Sequence, residues 1–312
     1  MTGLPVDVVY VATSAHDGRF TRICIASIRA VYPEVPIRLL LGGPVETSRL
    51  RELAEVWDAR PAEHVPPGNY GWGFVKLEPL FGPPGERFLV LDSDTVFLGP
   101  ALDAVDPVAD FTVDDELQGE ADMRHLYFDW EVLQAVDPRA VRPAFVFNSG
   151  QWAGSAGVLT RDDFSPWVLA GRPPRLRHPS GFMGGEQGVL NYVLNQKVQQ
   201  SLVEVARRPL MRWLGHDTAD VALAEVVQGA TSPHRLVAHW AGFKAAHLGG
   251  LPRTDLLRHF ERVHYEAQGG GERLRRMRAL RDAAQFEARR LATPARLWLR
   301  RRRALTLAEA TP

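Results

Sequence analysis

Residues 88–97 read Phe-Leu-Val-Leu-Asp-Ser-Asp-Thr-Val-Phe, an apolar run that ends in two carboxylates one residue apart. The apolar residues predict a buried strand over Phe88–Leu91. Side chains alternate along a strand, so Asp92 and Asp94 are expected on one side and Ser93 on the other. In open α/β sheets, ligands bind at the carboxyl ends of strands. The stretch therefore predicts part of a site for a hard divalent cation, completed by phosphate oxygens of a substrate.

Strand and helix patterns alternate before this stretch. Val6–Val11 and Ile37–Leu41 are predicted strands. A helix is predicted after the first, beginning behind Asp17, and another after the second, beginning at Thr47 or Ser48. This β-α-β-α opening predicts an α/β fold with a mostly parallel central sheet flanked by helices.

The later part of the chain carries weaker signals. Ala144–Phe147 and Leu236–Ala238 are predicted strands, and residues 103–143 between the motifs are expected to be irregular. The run Gln268-Gly-Gly-Gly271 predicts a hinge. It divides the chain into a domain at 1–267 and a tail at 268–312.

Composition narrows the class of protein. A chain of 312 residues with 45% apolar residues is long enough to bury a core. One cysteine, Cys24, excludes an internal disulfide and a cysteine-built zinc site, and its apolar helical context predicts burial. No signal-peptide pattern and no uncharged run of 18 residues is found, so a cytoplasmic protein without a membrane span is expected.

Charge is distributed unevenly along the chain. Residues 271–303 hold twelve Arg against three acidic residues, a net charge of +9, so the remainder carries −9. Leu274, Met277 and Leu280 recur at helical spacing, and Trp298 lies in the last Arg cluster. A basic helical tail with an aromatic anchor predicts peripheral binding to anionic membrane, with a solvated tail as the alternative. Nucleic acid fits poorly, because the body is acidic.

Five short segments with polar or charged residues follow one another in a definite order. They are Trp72-Gly-Phe-Val-Lys76-Leu-Glu-Pro79, Leu91-Asp92-Ser-Asp94, Phe147-Asn148-Ser-Gly150, Gly185-Glu186-Gln187-Gly-Val-Leu-Asn191 and His239-Trp-Ala-Gly242-Phe-Lys244. Over residues 5–250 this order resembles the glycosyltransferases of family 8 and their relatives with the GT-A fold. The resemblance implies transfer of a sugar, with retention, from a nucleotide-sugar such as a UDP-sugar to a glycan or lipid-linked acceptor.

The resemblance also implies a metal site. Asp92, Asp94 and His239 would bind Mn²⁺ or Mg²⁺, which neutralises the charge of the departing diphosphate. An imidazole nitrogen among oxygen ligands favours Mn²⁺. Taken alone, His239 is more typical of a buried core histidine whose hydrogen bonds are satisfied.

Other residues acquire roles by the same resemblance. Lys76 and Lys244 would contact the donor phosphates, and Ser93 and Asn148 the donor. The pair Glu186 and Gln187 would lie beside the anomeric carbon. Retention then follows either from attack by a carboxylate or from attack by the acceptor on the leaving-group side, and both stay open. Taken alone, Glu186 is also typical of a helix start, and Asn148 of a turn.

The end of the first strand departs from the family. Many relatives carry acidic residues and a Tyr there that contact uracil, whereas this chain has Thr13, Ser14 and His16. Thr13 and Ser14 are then candidates for hydrogen bonds to a base, and His16 for stacking on it. The aromatic faces of Trp72, Trp152 and Trp240 suit either a sugar ring or a core.

Three other classes compete with this interpretation. The run Asp92-Ser-Asp94-Thr-Val96 also fits the first motif of haloacid-dehalogenase-type phosphatases, which need a later strand ending in paired acids. The pair considered, Asp162-Asp163, follows a predicted turn. A nucleotidyltransferase would need a Gly-rich basic loop after the first strand, and Gly18-Arg19 matches that poorly. A non-catalytic carbohydrate-binding module needs no paired carboxylates.

Overall fold

The computed structural model describes residues 3–71, 73–114, 120–183, 185–214, 218–243, 248–284 and 287–288. The chain divides into two compact units, the first ending at Ala241 and the second beginning at Gly242. The predicted hinge at 268–271 lies inside the second unit, so a division at 268 stays a prediction. No helix within the described ranges has the length and hydropathy needed to cross a bilayer.

The strands all belong to the first unit. They are β1 (Val8–Thr13), β2 (Ile37–Leu41), β3 (Arg60–Pro61), β4 (Arg87–Asp92), β5 (Thr95–Phe97), β6 (Phe111–Val113), β7 (Gln151–Ser155), β8 (Val168–Leu169), β9 (Arg175–Leu176), β10 (Val205–Arg207), β11 (Met211–Trp213) and β12 (Val237–His239).

Helices connect these strands and continue into the second unit. The α-helices of the first unit are α1 (Gly18–Val31), α2 (Thr47–Trp57), α3 (Glu120–Leu126), α4 (Trp130–Val136), α5 (Arg161–Phe164), α6 (Glu186–Gln199) and α7 (Leu223–Val226), and its 3-10 helices are Phe74–Phe81, Ala101–Ala104 and Gly229–Thr231. The second unit has a 3-10 helix at Leu248–Gly250, α8 (Thr254–Ala267) and helical residues 271–284.

The main sheet has seven strands in the order β10-β6-β7-β4-β1-β2-β3. All its pairs are parallel except those that β7 makes with β4 and β6. A second sheet has the order β11-β12-β5, and β8 and β9 form a hairpin. The predicted α/β fold with a mostly parallel central sheet flanked by helices is therefore confirmed.

Both faces of the main sheet are buried, which is typical of parallel strands. On one face, Val9, Leu89 and Leu91 pack with α1, where Cys24 is fully buried as predicted. Burial raises the pKa of the Cys24 thiol to about 12, so this side chain is an inert core group. On the other face, apolar residues of β1, β4 and β7 pack with those of α6.

The predicted strand at Ala144–Phe147 is wrong, because these residues lie outside any strand and β7 begins at Gln151 instead. The backbone of 144–147 pairs with two asparagine side chains of α6 rather than with a strand. Asn191 accepts from Phe147 N at 2.8 Å and donates to Phe147 O at 2.9 Å. Asn195 accepts from Ala144 N at 3.0 Å and donates to Phe145 O at 3.0 Å.

The expectation of irregular structure across residues 103–143 is also wrong in part. This region contains the buried strand β6 and the helices α3 and α4. The side chain of Asp129 caps α4 by accepting from Val132 N at 3.4 Å. Phe111 and Val113 of β6 are fully buried because β7 and β10 flank that strand.

Candidate functional site

Asp92, Asp94 and His239 meet at the junction between the two sheets. β4 ends at Asp92, the chain turns through Ser93 and Asp94, and β5 then enters the second sheet. There β5 pairs with β12, which sets His239 opposite Thr95. His239 Nε2 lies 3.2 Å from Asp94 Oδ1 and 3.9 Å from Asp92 Oδ2. The sheet pairing thus brings two distant segments of the chain to one point.

The three side chains fit a divalent cation by geometry and by donor type. One ligand atom from each lies within 4.8 Å of the others. Gly150 leaves the space open, since a Cβ there would overlap the His239 ring and crowd Asp92. Two carboxylates and one imidazole are a donor set suited to Mn²⁺. Among the described residues, this is the one group of this kind.

The pKa values of Asp92 and Asp94 are shifted in opposite directions. Burial raises the pKa of Asp92, and Lys76 and His239 offset this only in part. Burial acts on Asp94 too, but the hydrogen bond from His239 and its charge hold the pKa of Asp94 below its usual value. The His239 ring is fixed by stacking on Trp213, at a centroid distance of 5.5 Å. Its Nδ1 is buried with no hydrogen-bond partner in the described residues.

Lys76 lies at the centre of a buried network next to Asp92. Its side chain is 7% exposed, and its Nζ lies 3.2 Å from Asp92 Oδ1 and 2.8 Å from Glu186 Oε1. It also donates to Ser149 Oγ at 2.9 Å. Burial lowers the pKa of Lys76, but the two carboxylates outweigh burial and raise it, so the amine stays charged. Lys76 therefore offsets part of the negative charge of the site from within the protein.

The predicted pair Glu186 and Gln187 begins α6 and contacts this network through Ser149. Ser149 Oγ lies 3.0 Å from Glu186 Oε1, and Ser149 N donates to Gln187 Oε1 at 3.0 Å. Gln187 Nε2 donates to Leu126 O at 3.0 Å, which fixes the amide orientation. Glu186 Oε2 is buried without a hydrogen-bond partner among the described residues. An unsatisfied buried oxygen costs free energy, so it marks an interaction that a ligand would complete.

The predicted donor residues that follow β1 occupy the same edge of the sheet. β1 and β4 pair in parallel with Ala12 beside Asp92, so Thr13 and Ser14 follow next to the acidic turn. Their hydroxyls already bond within the protein, at 2.6 Å from Thr13 Oγ1 to Thr21 Oγ1 and at 2.6 Å from Ser14 Oγ to Asp17 Oδ2. His16 is exposed beyond them.

Asn148 and Ser93 flank the acidic turn more closely. Asn148 Oδ1 accepts from Gly150 N at 2.7 Å, which makes Asn148 a turn former as well as a neighbour of the metal ligands. Ser93 is buried between Asp92 and Asp94. Lys244 and Trp72 lie outside the described residues. Trp152 and Trp240 are fully buried, so these two rings belong to the core rather than to a sugar site.

Three residues of the site were missed by sequence reasoning. Ser149 is hydrogen-bonded to Lys76, Glu186 and Gln187. In the sequence, only its position between Asn148 and Gly150 pointed to a role in the site. Trp213 lies outside every motif. Gly73 packs against Glu186 at a φ of 83°, and a Cβ there would overlap the carboxylate. Only a glycine meets both demands, and the motif around Lys76 contained it.

Comparison with known proteins finds structural neighbours only. No family model matches the chain, and no curated protein matches its sequence. The bifunctional glycosyltransferase WbbM superposes with a TM-score of 0.47 at 13% identity, over 87% of this chain and 52% of that chain. The galactosyltransferase LgtC, solved with donor and acceptor sugar analogs, gives 0.46 at 11% identity, over 83% and 95%.

The glycosyltransferase GlyE of Streptococcus pneumoniae TIGR4 gives a TM-score of 0.46 at 13% identity, over 82% of this chain and 60% of that chain. All three scores lie below 0.5.

Proposed function

We propose that this chain is a metal-dependent glycosyltransferase of the GT-A type, which moves a sugar from a nucleotide-diphosphate donor to a hydroxyl acceptor. The observation that carries the proposal is the convergence of Asp92, Asp94 and His239 at the carboxyl end of β4. A cation bound there would supply Lewis-acid neutralisation of the diphosphate as the bond to the anomeric carbon breaks. We expect Mn²⁺ in preference to Mg²⁺, and a UDP-sugar as donor.

The residues of the protein have separate tasks in this proposal. Asp92, Asp94 and His239 hold the cation, and Lys76 holds the neighbouring carboxylates of Asp92 and Glu186 in place. Glu186 is the carboxylate left to interact with the sugar, since its Oε2 has no partner among the described residues. Over the whole reaction, the anomeric carbon exchanges its bond to the diphosphate oxygen for a bond to the acceptor oxygen, and the acceptor proton is taken up by the released diphosphate. Ser149 orients Glu186 and Gln187.

Within the described part of the chain, no second acidic pair reaches this site, as the phosphatase alternative would require. Asp163 caps α5 and is ion-paired to Lys197, so the pair Asp162-Asp163 belongs to a helix start. A second pair, Asp114-Asp115, follows β6 and is separated from β4 by β7. Asp114 Oδ1 accepts from Leu210 N at 2.8 Å, and Asp115 lies outside the described residues. His239 completes the proposed metal-ligand group, and a haloacid-dehalogenase-type phosphatase would have no role for that histidine.

The nucleotidyltransferase alternative lacks its phosphate loop. Gly18 and Arg19 form the first turn of α1. A Cβ at Gly18 would overlap the Arg49 guanidinium, so this backbone is covered by a side chain rather than open to a triphosphate.

Hydrolysis of nucleotide-sugars by the protein tests the proposal. The wild-type protein is incubated with Mn²⁺ and a panel of nucleotide-sugars, and the release of nucleoside diphosphate is measured. We expect release from a UDP-sugar, and loss of both release and Mn²⁺-dependent UDP binding in Asp94→Asn. Asp58→Asn, an exposed carboxylate at a helix end that tolerates Asn, is the matched control. Unchanged calorimetric UDP affinity in Asp94→Asn contradicts the metal assignment.

We further propose that transfer proceeds with retention, with Glu186 or Gln187 at the reacting face. The support is the position of both residues at the start of α6 beside the network of Lys76. NMR of the product linkage measures the anomeric configuration. An inverted linkage overturns this part of the proposal and leaves the transfer itself standing.

We also propose a peripheral contact between the second unit and anionic membrane, which suits a lipid-linked or cell-envelope acceptor. Within helical residues 271–284, one stripe combines exposed Arg273, Arg276, Met277, Leu280 and Arg281. Cationic and apolar side chains on one helix face match the chemistry of an anionic bilayer surface. The rest of the predicted tail, with Trp298, lies outside the described residues.

A further inference from the structure

A pocket of about 470 Å³ lies along the 3-10 helix Phe74–Phe81, which also carries Lys76. This volume is in the range of small-molecule sites. Apolar side chains from the loop before the helix, from the helix itself, from α5 and from β8 form most of its wall. They are Tyr70, Phe74, Leu77, Phe81, Phe164 and Val168.

The helix presents two different faces to two different sites. A 3-10 helix has three residues per turn, so Phe74 and Leu77 share one face while Lys76 points elsewhere. Lys76 reaches Asp92 and Glu186, as described above. Phe74 and Leu77 line the pocket instead. One short element therefore separates the charged site from an apolar one.

Phe74, at one end of the pocket lining, is one residue away from the backbone that packs on the candidate catalytic carboxylate, Glu186. Gly73 directly precedes Phe74, and it packs so closely on Glu186 that a Cβ at Gly73 would overlap the carboxylate. The pocket continues from Phe74 along the helix to Phe81. A molecule that fills it thus extends away from Glu186 over the length of the 3-10 helix.

The charges around the pocket cancel. Arg161 forms two hydrogen bonds with Glu78, at 3.3 and 2.7 Å, and lies over the Phe81 ring. Arg172 bonds to backbone carbonyls of the loop and lies over Tyr70, while Asp162 contributes the second negative charge. Two arginines and two acids sum to zero, so the pocket selects an uncharged apolar group rather than an ion.

We propose that this pocket binds an apolar group, aromatic or aliphatic, that is attached to the acceptor. The acceptor hydroxyl would then lie at the Phe74 end, next to Glu186, with the apolar group over Leu77, Phe164 and Val168. This inference rests on the proposed glycosyltransferase function. It names the acceptor class as glycosides that carry an apolar aglycone, rather than bare sugars.

Two glucosides that share one sugar test the pocket. Binding of hexyl β-glucoside and methyl β-glucoside to the full-length protein is measured by calorimetry in the presence of UDP and Mn²⁺. We expect the hexyl compound to bind at least about tenfold more tightly, because its extra methylene groups leave water. In a parallel arm, donor is supplied and the transfer of sugar to each glucoside is followed.

Variants at Leu169 of β8 and at Ala170, which directly follows β8, distinguish binding in the pocket from non-specific binding of the hexyl chain. Val168 and Ala170 line the pocket, whereas Leu169 between them does not. Ala170→Trp adds bulk at an exposed lining position and should abolish the preference for the hexyl compound. Leu169→Trp adds the same bulk on the other side and should keep that preference. UDP binding should persist in both variants, which shows that they fold.

The outcomes discriminate between this inference and the function on which it rests. Equal affinity for both glucosides, or an unchanged preference for the hexyl compound in Ala170→Trp, contradicts the assignment of the pocket to the acceptor. If UDP binding and donor hydrolysis are still observed, the proposed function is retained. If the protein binds hexyl β-glucoside but does not bind UDP, the proposed function is contradicted, and so is the acceptor assignment that rests on it. Tight hexyl binding without preferential transfer to hexyl glucoside also overturns the acceptor assignment.

Discussion

Lys76 lies between Asp92 and Glu186 in a region from which water is largely excluded. Two carboxylates side by side in such a place repel each other, and each loses hydration. The ammonium group offsets both effects. A lysine predicted to contact donor phosphate is thus already bonded to three side chains of the protein, with Ser149 as the third.

We predict that Lys76→Met lowers the free energy of unfolding at pH 7 by about 3–5 kcal/mol, because it leaves buried charges unpaired. Removing the ammonium group of Lys76 raises the folded-state pKa of Asp92 further, because that group opposes the effect of burial. That destabilisation is present at neutral pH and is lost as pH falls and the carboxylates bind protons. Urea unfolding at pH 7 and pH 4 measures both effects.

Lys197 supplies the matched control for this experiment. It is ion-paired to Asp163 in a more exposed setting, with 26% of its side chain accessible. Lys197→Met should therefore cost no more than about 1 kcal/mol. Equal losses in the two lysine variants at pH 7 would rule out a special role for the buried network.

At the scale of single elements, two side chains of α6 make hydrogen bonds to residues 144–147 that a neighbouring strand would make in a sheet. Asn191 and Asn195 lie one turn apart on α6, and each bonds with both its amide oxygen and its amide nitrogen to the backbone of 144–147. This pairing holds Phe147 in place, and the chain then turns through Asn148 and Ser149 into the site. An extended segment thus finds its hydrogen-bond partners on a helix.

We predict that Asn191→Ala lowers the free energy of unfolding by about 2–4 kcal/mol, because the N–H and C=O of Phe147 lose their partner in a buried setting. The loosened turn should also weaken UDP binding. Thermal unfolding and calorimetry measure the two effects. Gln199→Ala, which removes an exposed bond from α6 to Arg142 O, is the control and should change stability by less than about 0.5 kcal/mol. A similar loss in both variants contradicts the pairing role.

At the scale of the whole chain, a body of net charge −9 is joined to an Arg-rich segment of +9. Part of that segment is the helix at 271–284. Arg275 bonds to Glu261 and Glu272 there, whereas Met277 and Leu280 are exposed. The helical character predicted for the start of the tail is confirmed over these residues.

We predict that removal of residues 271–312 reduces co-sedimentation with anionic vesicles at low salt and leaves donor hydrolysis intact. Each arginine near an anionic surface contributes about 1 kcal/mol, and salt screens that attraction. Vesicles of neutral lipid are the control for non-specific adsorption. If full-length and truncated proteins sediment alike with anionic vesicles, the tail is a solvated appendage.

Local sequence patterns were sufficient to predict three strands of the main sheet, β1, β2 and β4. Ile37–Leu41 was predicted with its observed bounds, and β1 and β4 were found within two residues of theirs. These strands are rich in apolar residues and bounded by turn residues, so a short stretch of sequence is enough to identify them. The strand predicted at Ala144–Phe147 failed because two asparagines on a later helix take the place of a neighbouring strand.

The sequence by itself determined the type of sheet, the acidic turn at Asp92 and Asp94, and the identity of the polar residues in the later motifs. Periodicity and composition act over a few residues, and these features are local. Only the tertiary structure decided that His239 faces the acidic turn, that Lys76 is buried between Asp92 and Glu186, and that Ser149 joins them. Those contacts depend on the register between β5 and β12 and on the packing of α6, which join segments far apart in the chain.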